Sequence, residues 1–483
     1  MKKFIYIALT LVLASAAISS CDKFLDVNDN PNYPKQVEPY TLLPTVQMRL
    51  AEKVGYDINL VGLFWSQYVV QCYNTNQYYT VMTYNLRNSA SWFTSPWSIF
   101  YGQNLPAIHE ILAAYENEAE YLNFAFEAKA LLAYHLYLLN SLYGDVCYSK
   151  AFATPEYGTL DFEPNPEFDD EKDVYNTIVA MLEELRAADA TAVDDAEAIH
   201  SSEAYDAMFQ GDMDNWRAFV NTLYLKVLMR DFTANTAKIT ALLAEHDFLT
   251  ADAKYDAYED KADKSSPLYE SDRRQLNTTE NIRACNDVIS KMLVAGGVDY
   301  RILNYYTLYG STFAGTAYGV TGRYNQTSKL ALSATDPVYF STADEALFLQ
   351  AEAYARLANA PAAKAAYDAA ITASFAREGM DGYEASLIAA GGRYEFDATA
   401  SAEDQVHQII FQKWLANVKG MPIESWFDIN RTGYPARGTD ITNYAGVLGS
   451  APVRFMYSYY SNEYNSNSPD PVDMDVKMWW HKQ

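Results

Sequence analysis

Apolar residues recur every three or four positions along most of the chain, which is the spacing of amphipathic helices. From Ala125 to Tyr143 the chain is apolar on nearly every side, so this helix should be buried, and Gly144 should end it. The first two helices are predicted over residues 42–56 and 59–70, and later ones begin near Trp97, Val174, Trp216, Thr342, Pro361 and Glu403. The pattern predicts an all-α fold.

One helical hairpin is predicted after residue 341. Thr342 and Glu345 have the spacing of a capping box, and Pro361 suits the first turn of a partner helix. Two short helices packed through alanines are typical of a tetratricopeptide repeat, so we expect a tetratricopeptide-like helical hairpin scaffold. The small residues of the partner helix are Ala365, Ala366, Ala369 and Ala370.

Three stretches break the helical pattern. Residues 73–96 are rich in Asn, Thr, Ser and Tyr, and residues 250–345 interleave glycines with tyrosines. Residues 422–483 are mostly irregular and aromatic. Because turn formers disfavour helix, we expect long, irregular, aromatic-rich loops on the scaffold.

The N-terminus has the pattern of a lipoprotein signal. Lys2 and Lys3 precede an apolar run over residues 4–18, which is too short to span about 30 Å of hydrocarbon. Small residues then lead to Cys21, as in the lipobox of bacterial lipoproteins, and Cys21 would carry acyl chains such as palmitate. The alternative is an ordinary secretory signal near a cysteine. The expected organisation is a signal peptide over 1–20, a lipidated tether over 21–40 and a helical domain over 41–483.

Composition narrows the function classes. The net charge of −26 becomes −28 once the two signal-peptide lysines are removed, which argues against nucleic acid and anionic lipid as partners. The 40 tyrosines indicate wet, amphipathic surfaces as well as core. With Cys21 lipidated, Cys72, Cys147 and Cys285 allow at most one disulfide, and Cys147 should pack as a small hydrophobe.

Several short stretches carry a family likeness, in the family's order. They are Ser19-Ser20-Cys21 with residues 24–26 and 30–32, residues 127–134 with 142–148, 216–230, 351–356 and 424–431, and Arg454 with Tyr457, Glu463 and Asn465. The chain resembles the SusD and RagB outer-membrane lipoproteins, and its Asp-Ile-Asn-Arg variant is closer to the SusD-like group two branch. Cys147 departs from the family pattern, which has a proline there.

The resemblance implies a binding protein without catalytic activity. Such a protein would capture a glycan, as oligosaccharide or polysaccharide, and deliver it to a SusC-like TonB-dependent outer-membrane transporter, acting as its lid. The helical scaffold would pack against the transporter, and irregular loops would carry the ligand surface. The expected location is the outer membrane, lipid-anchored and exposed at the cell surface. Under the enterobacterial sorting rule, Asp22 directly after Cys21 would mean retention in the inner membrane, but the family does not follow that rule.

Two loop segments have the composition of a sugar-binding surface. Sugars present flat C–H faces and a rim of hydroxyls, so such a surface needs aromatic platforms flanked by polar side chains. The family's first loop often supplies a stacking tryptophan, which makes Trp92 the first choice. The alternatives are that Trp92 and Trp97 fill the core and that the second set is a packing surface. The first set is Tyr78, Tyr79, Arg87, Asn88, Trp92 and Trp97, and the second is Tyr305, Tyr306, Tyr309, Arg323 and Tyr324.

Catalytic and metal-binding motifs are missing from the sequence. There is no His-Glu-x-x-His, Gly-x-Ser-x-Gly or phosphate-binding glycine loop, and no catalytic residue is predicted. Glycoside hydrolysis needs only two carboxylates about 5 to 9.5 Å apart, but the family likeness indicates binding. No cofactor is expected, although an incidental Ca²⁺ could bind at Asp212 with Asp214 or at Asp473 with Asp475.

Two functions remain open. The first is capture of a glycan, and the alternative is capture of an oligopeptide with the same transporter partnership, since the RagB side of the family handles oligopeptides. The two predicted sets of loop aromatic residues favour a sugar ligand, whereas a deep cavity of mixed polarity would favour a peptide ligand.

Overall fold

Helices dominate the structure, as the apolar spacing predicts. The computed structural model describes residues 38–71, 77–152, 165–188, 204–275, 281–320, 326–437, 448 and 450–482. Pro39–Gln483 forms one compact unit. In the described part of the chain, no helix combines the length and apolar character that crossing a bilayer requires. The predictions for Cys21, Cys72, Arg323 and Tyr324 lie outside the described residues.

The helices and strands have the following bounds. The first helices are α1 Pro39–Lys53, α2 Asn59–Trp65, α3 Tyr79–Met82, α4 Ser91–Ile99, α5 Leu105–Tyr115, α6 Leu122–Tyr143, α7 Glu171–Ala187, α8 Met213–Leu228 and α9 Phe232–Glu245. They are followed by α10 Pro267–Tyr269, α11 Asn286–Met292, α12 Ile302–Tyr305, α13 Ala343–Arg356, α14 Ala360–Arg377, α15 Ala385–Ile388, α16 Ala402–Ala416, α17 Pro422–Thr432 and α18 Tyr459–Tyr464. The strands are β1 Val69–Gln71, β2 Ala253–Tyr255, β3 Ile282–Ala284 and β4 Val338–Ser341, paired antiparallel as β1 with β3 and β2 with β4.

Helix α6 is the buried centre of the N-terminal half. All of its residues except Leu122 and Lys129 are buried, which confirms the prediction from its apolar pattern. It ends at Gly144, whose φ of +83° suits glycine and whose N–H donates to the Asn140 carbonyl at 3.1 Å. Helices α5, α7 and α8 pack around it.

The predicted hairpin is formed by α13 and α14, with α16 packed against both. The Thr342 hydroxyl accepts a hydrogen bond from the Glu345 N–H at 3.2 Å, so the predicted N-terminal cap is confirmed. The buried small face of α14 is Ala363, Ala366 and Ala370, whereas the predicted Ala365 and Ala369 are exposed. The helical period places positions three and four apart on one face, and adjacent alanines on different faces. The hairpin is consistent with a tetratricopeptide-like unit.

Three local predictions need correction. Residues 59–70 are not one helix: α2 ends at Trp65, Gln67 adopts a φ of +61°, and the β-branched pair Val69-Val70 enters β1. The segment over 73–96 is not wholly irregular, because α3 and most of α4 lie in it, and residues 422–483 contain α17 and α18. In the second and third segments, helices form despite the local turn signal.

A buried charge network joins α8, α13, α16 and α17. The Lys226 ammonium lies 2.9 Å from Glu345 and 3.3 Å from Glu424, and the Lys413 ammonium lies 3.3 Å from Glu345 and 3.0 Å from Asp428. All five side chains are at most 8% exposed. Buried charges of this kind require partners, so the network fixes how the four helices dock.

Candidate ligand-binding site

A cluster of exposed tyrosines lies on α18. The side chains of Tyr459, Tyr460 and Tyr464 are 37%, 52% and 73% exposed. Tyr460 and Tyr464 are four residues apart, so they share one side of the helix, and their rings are inclined by only 18° with centroids 6.3 Å apart. The Tyr459 ring meets Tyr460 nearly edge to face at 5.9 Å. The helix therefore presents three neighbouring aromatic rings to solvent.

Both ends of α18 are fixed to the body. Before the helix, Phe455 is fully buried with its ring 5.6 Å from that of Trp65, and the buried Ser458 caps the first turn. After the helix, the Asn465 amide donates to the Pro166 carbonyl at 2.8 Å. A ligand that stacks on these rings would not have to order the helix first, and that lowers the cost of binding.

The loop between α3 and α4 lies beside α18 and supplies polar groups. The Tyr459 N–H donates to the Asn88 carbonyl at 3.3 Å, which joins the loop to the helix. Arg87 and Asn85 are exposed, and Asn88 is half-buried. The loop begins at Tyr84, held in the left-handed region with a φ of +59°. We call Tyr459, Tyr460, Tyr464, Asn85, Arg87 and Asn88 the tyrosine face.

The tyrosine face has the chemistry that sugar recognition requires. Aromatic faces pack against the C–H bonds of a sugar ring, and amide and guanidinium groups hydrogen-bond to its hydroxyls. The hydrogen bond from the Tyr459 N–H to the Asn88 carbonyl joins the start of α18 to the loop that carries Arg87 and Asn88, two residues predicted from sequence. The arrangement suits binding of an extended, uncharged polar ligand by several weak contacts.

The tryptophans of the first predicted set lie in the core. Trp92 is 8% exposed, and its ring packs on those of Tyr56 and Tyr78 with centroids 5.5 and 6.1 Å apart. Trp97 is 7% exposed and stacks on Phe168 at 5.9 Å. Tyr78 is fully buried, and burial raises its pKa. The expectation that these three rings are exposed platforms is therefore corrected, because core packing leaves at most a ring edge at the surface.

The described residues of the second predicted set differ in their exposure to solvent. Tyr305 and Tyr306 are buried, and their hydroxyls donate to the carbonyls of Ala416 at 3.2 Å and Tyr68 at 3.0 Å. Their expected role as platforms is corrected in the same way, since these bonds fix α12 to the core. Tyr309 is 43% exposed in a tight turn that it forms with residue 312. In the first set, Tyr79 is half-buried.

Sequence reasoning misses the tyrosines of α18. Residues 422–483 appear irregular in the sequence, so no helix is predicted there and no face is assigned. A signal exists in the spacing of Tyr460 and Tyr464, because aromatic residues four apart with Ser461, Asn462 and Glu463 between them indicate a polar helix carrying exposed rings.

Across the described ranges, no three His, Cys, Asp or Glu side chains converge as they would around a metal ion. Two of the acids considered for Ca²⁺ serve the protein itself: Asp212 accepts from the Asn215 N–H at 3.0 Å, and Asp214 pairs with Arg217 at 3.0 Å.

Comparison with solved structures supports the fold. A chitin-binding SusD homolog from Flavobacterium johnsoniae superposes with a TM-score of 0.73 at 20% identity, covering 91% of this chain and 97% of that one. SusD homologs from Bacteroides ovatus and Bacteroides uniformis give TM-scores of 0.73 and 0.71 at 20% and 22% identity, each covering 92% of this chain and 99% of the other. No protein with a curated description matches the chain.

A family model matches residues 31–458, which is most of the sequence. The model is that of the SusD-like proteins of the second group, described as starch-binding and associating with the outer membrane. The sequence resemblance is thereby confirmed, and so is the expectation of a protein that binds rather than catalyses. This chain belongs to the SusD-like family of starch-binding, outer-membrane-associated proteins, which are binding proteins and not enzymes.

Proposed function

We propose that the protein is a cell-surface lipoprotein that captures a glycan on the tyrosine face and delivers it to a SusC-like TonB-dependent transporter, acting as its lid. The observation that carries this proposal is the set of exposed rings of Tyr459, Tyr460 and Tyr464 on a helix that is hydrogen-bonded to the loop carrying Arg87 and Asn88. Membership of a starch-binding family and the fold shared with a chitin-binding homolog support a glycan as the ligand.

The energetics suit a polymeric ligand. Each aromatic ring can add about 0.5 to 1.5 kcal/mol beyond burial, by analogy with aromatic pairs. One ring alone therefore changes affinity about two- to tenfold, and several rings are needed to retain a sugar chain. Because Tyr460 and Tyr464 lie nearly parallel, successive sugar units can use both.

The anchor and the partner are proposed from the sequence and the family. The lipobox before Cys21 supports lipidation of that cysteine and attachment to the outer membrane, with which the family associates. Delivery to a SusC-like transporter follows from the same resemblance, and the helical hairpin of α13 and α14 is the surface we assign to that contact.

The test is binding of the soluble chain from Asp22 onward to a panel of polysaccharides, including starch and chitin, and to a panel of peptides. The variants are Tyr460→Ala with Tyr464→Ala, compared with Tyr383→Ala. Tyr383 is a matched control because it is 53% exposed, against 52% for Tyr460, and lies outside the tyrosine face.

We expect retention on at least one glycan, loss of that retention in the double variant and no change in the control. Retention on peptides alone would support the oligopeptide alternative and contradict glycan capture. Equal retention of the double variant and the control would show that another surface binds the glycan.

A further inference from the structure

A second concave site lies outside the tyrosine face, between α5, α6 and α7. Its volume is about 570 Å³. That volume is within the range of about 300 to 1,000 Å³ that small-molecule sites occupy. Leu112, Leu132 and Met181 supply apolar walls. None of the residues that line it belongs to the tyrosine face, so an inference about it does not rest on glycan capture there.

Aromatic rings form one end of this cavity. The His109 ring stacks on Phe152 with centroids 4.3 Å apart and planes inclined by 16°. The Tyr148 ring lies 6.1 Å from His109. The faces of such rings attract organic cations, and their apolar surface also packs against apolar groups.

His109 presents an unsatisfied nitrogen. Burial lowers its pKa to about 4, so the ring is neutral at pH 7. Its Nε2 atom is buried and has no hydrogen-bond partner among the described residues. Leaving such a group unpaired costs free energy, which a ligand that donates a hydrogen bond would recover. A ligand N–H can donate to Nε2 in the tautomer that carries its proton on Nδ1.

The cavity is negatively charged on balance. The Lys129 ammonium lies between the carboxylates of Glu116 at 2.9 Å and Glu184 at 2.5 Å, so one positive charge faces two negative ones. The pKa of Tyr148 is raised to about 12 by burial and by the negative charges of Glu116, Asp169 and Glu184. An anionic ligand would be repelled here, whereas a cation would be attracted.

We propose that this cavity binds a compact organic ammonium ion, with its amine at Glu116 and Glu184 and its body against Phe152 and the apolar walls. The neutral His109 accepts a hydrogen bond from the same ligand. Such a ligand has a protonated amine on an apolar or sugar-like body. An amino sugar and the side chain of a lysine-containing peptide both have it.

The experiment follows the ring C–H signals of His109 by NMR in the soluble chain from Asp22 onward, assigned with a His109→Gln variant. Three probes are titrated. Glucosamine represents an amino sugar, Nα-acetyl-lysine amide represents a peptide side chain, and N-acetylglucosamine keeps the sugar ring but has no positive charge. We expect saturable shifts from one or both amines and none from N-acetylglucosamine at the same concentration.

Two double variants distinguish amine binding at this cavity from general attraction of the amine by the negative charge of the protein. Glu116→Gln with Glu184→Gln should weaken amine binding about tenfold. Glu259→Gln with Asp260→Gln removes the same charge from ion-paired acids on the surface, where Glu259 pairs with Lys264 and Asp260 with Arg274, and should leave binding unchanged. Unaltered circular dichroism confirms folding of each variant.

Phe152→Leu tests the contribution of the aromatic ring independently, since it keeps an apolar wall and removes the ring. We expect amine binding to weaken about threefold. The proposal is overturned if no amine shifts the His109 signals, if N-acetylglucosamine shifts them as strongly, or if the two acidic double variants behave alike. A selective response to glucosamine or to acetyl-lysine amide identifies which source of the amine the cavity prefers.

Discussion

Replacing Glu352 by Gln tests the buried ion pair that joins α13 to α17. Glu352 is 1% exposed, and its oxygens accept hydrogen bonds from Arg431 at 2.6 and 2.7 Å. Burial alone would raise the pKa of Glu352, but the guanidinium groups of Arg431 and Arg356 lower it from 4.5 to about 2. At about 1.4 kcal/mol per pKa unit, ionised Glu352 stabilises the fold by about 3 kcal/mol relative to its protonated form. We expect Glu352→Gln to lower the free energy of unfolding at pH 7 by that amount.

The loss should depend on pH. Because the pKa of Glu352 is lower in the folded than in the unfolded state, its contribution is complete above about pH 5 and declines as pH falls from 4.5 towards 2. Glutamine does not titrate. The difference in the free energy of unfolding between the parent chain and Glu352→Gln should therefore narrow from about 3 kcal/mol at pH 7 to about 1.5 kcal/mol at pH 3. Urea unfolding followed by tryptophan fluorescence measures both values.

Asp214→Asn is the control. Asp214 pairs with Arg217 at 3.0 Å, but its side chain is 94% exposed, so its removal should cost less than about 1 kcal/mol. Equal losses in the two variants would refute the assignment of stability to the buried pair. If the loss in free energy of unfolding of Glu352→Gln stays constant from pH 7 to pH 3, the electrostatic origin of that loss is refuted.

Three further predictions concern packing. Gly62→Ala should lower the free energy of unfolding by about 2 kcal/mol or more in urea, because an added Cβ would overlap the backbone nitrogen of Ile423 in α17. Gly102→Ala has no atom within 4 Å of its Cβ and should not destabilise. Trp480→Ala should cost about 3 to 5 kcal/mol, since that ring is 4% exposed, and a result below 1 kcal/mol would show that the chain end is not part of the core. Cys147 and Cys285 are buried, and burial raises the pKa of the Cys147 thiol to about 12, so neither should react with a thiol reagent at pH 8 before unfolding. Labelling of either in native protein, resolved by peptide mass spectrometry, would contradict that burial.

Periodic apolar patterning predicted the parts of the fold that it physically controls. Helix α6 is apolar all round and must be buried, and Thr342 with Glu345 satisfies backbone groups that any helix start leaves open. Residues 59–70 show the limit. Their apolar run suits a helix or a strand. Only the pairing of β1 with β3 decides that the chain changes from helix to strand around Gln67.

Aromatic residues in loops are harder to assign. Trp92 and Tyr460 both occur among Ser, Asn and Tyr residues, yet Trp92 is 8% exposed and Tyr460 is 52% exposed. The same ring chemistry suits a core contact or a stacking platform, and the choice depends on which side of a short helix faces the body. The sequence therefore indicated the polar neighbours Arg87 and Asn88 but not the rings beside them.

Calorimetric titration tests whether the tyrosine face binds glycan. The titrant is an oligosaccharide of the best-retained polysaccharide, and the proteins are the soluble chain, Tyr464→Ala and Tyr383→Ala. We expect Tyr464→Ala to weaken binding by about 0.5 to 1.5 kcal/mol and Tyr383→Ala to leave it unchanged. Unchanged affinity in Tyr464→Ala, with the same number of binding sites as the parent chain, would contradict glycan binding by the tyrosine face.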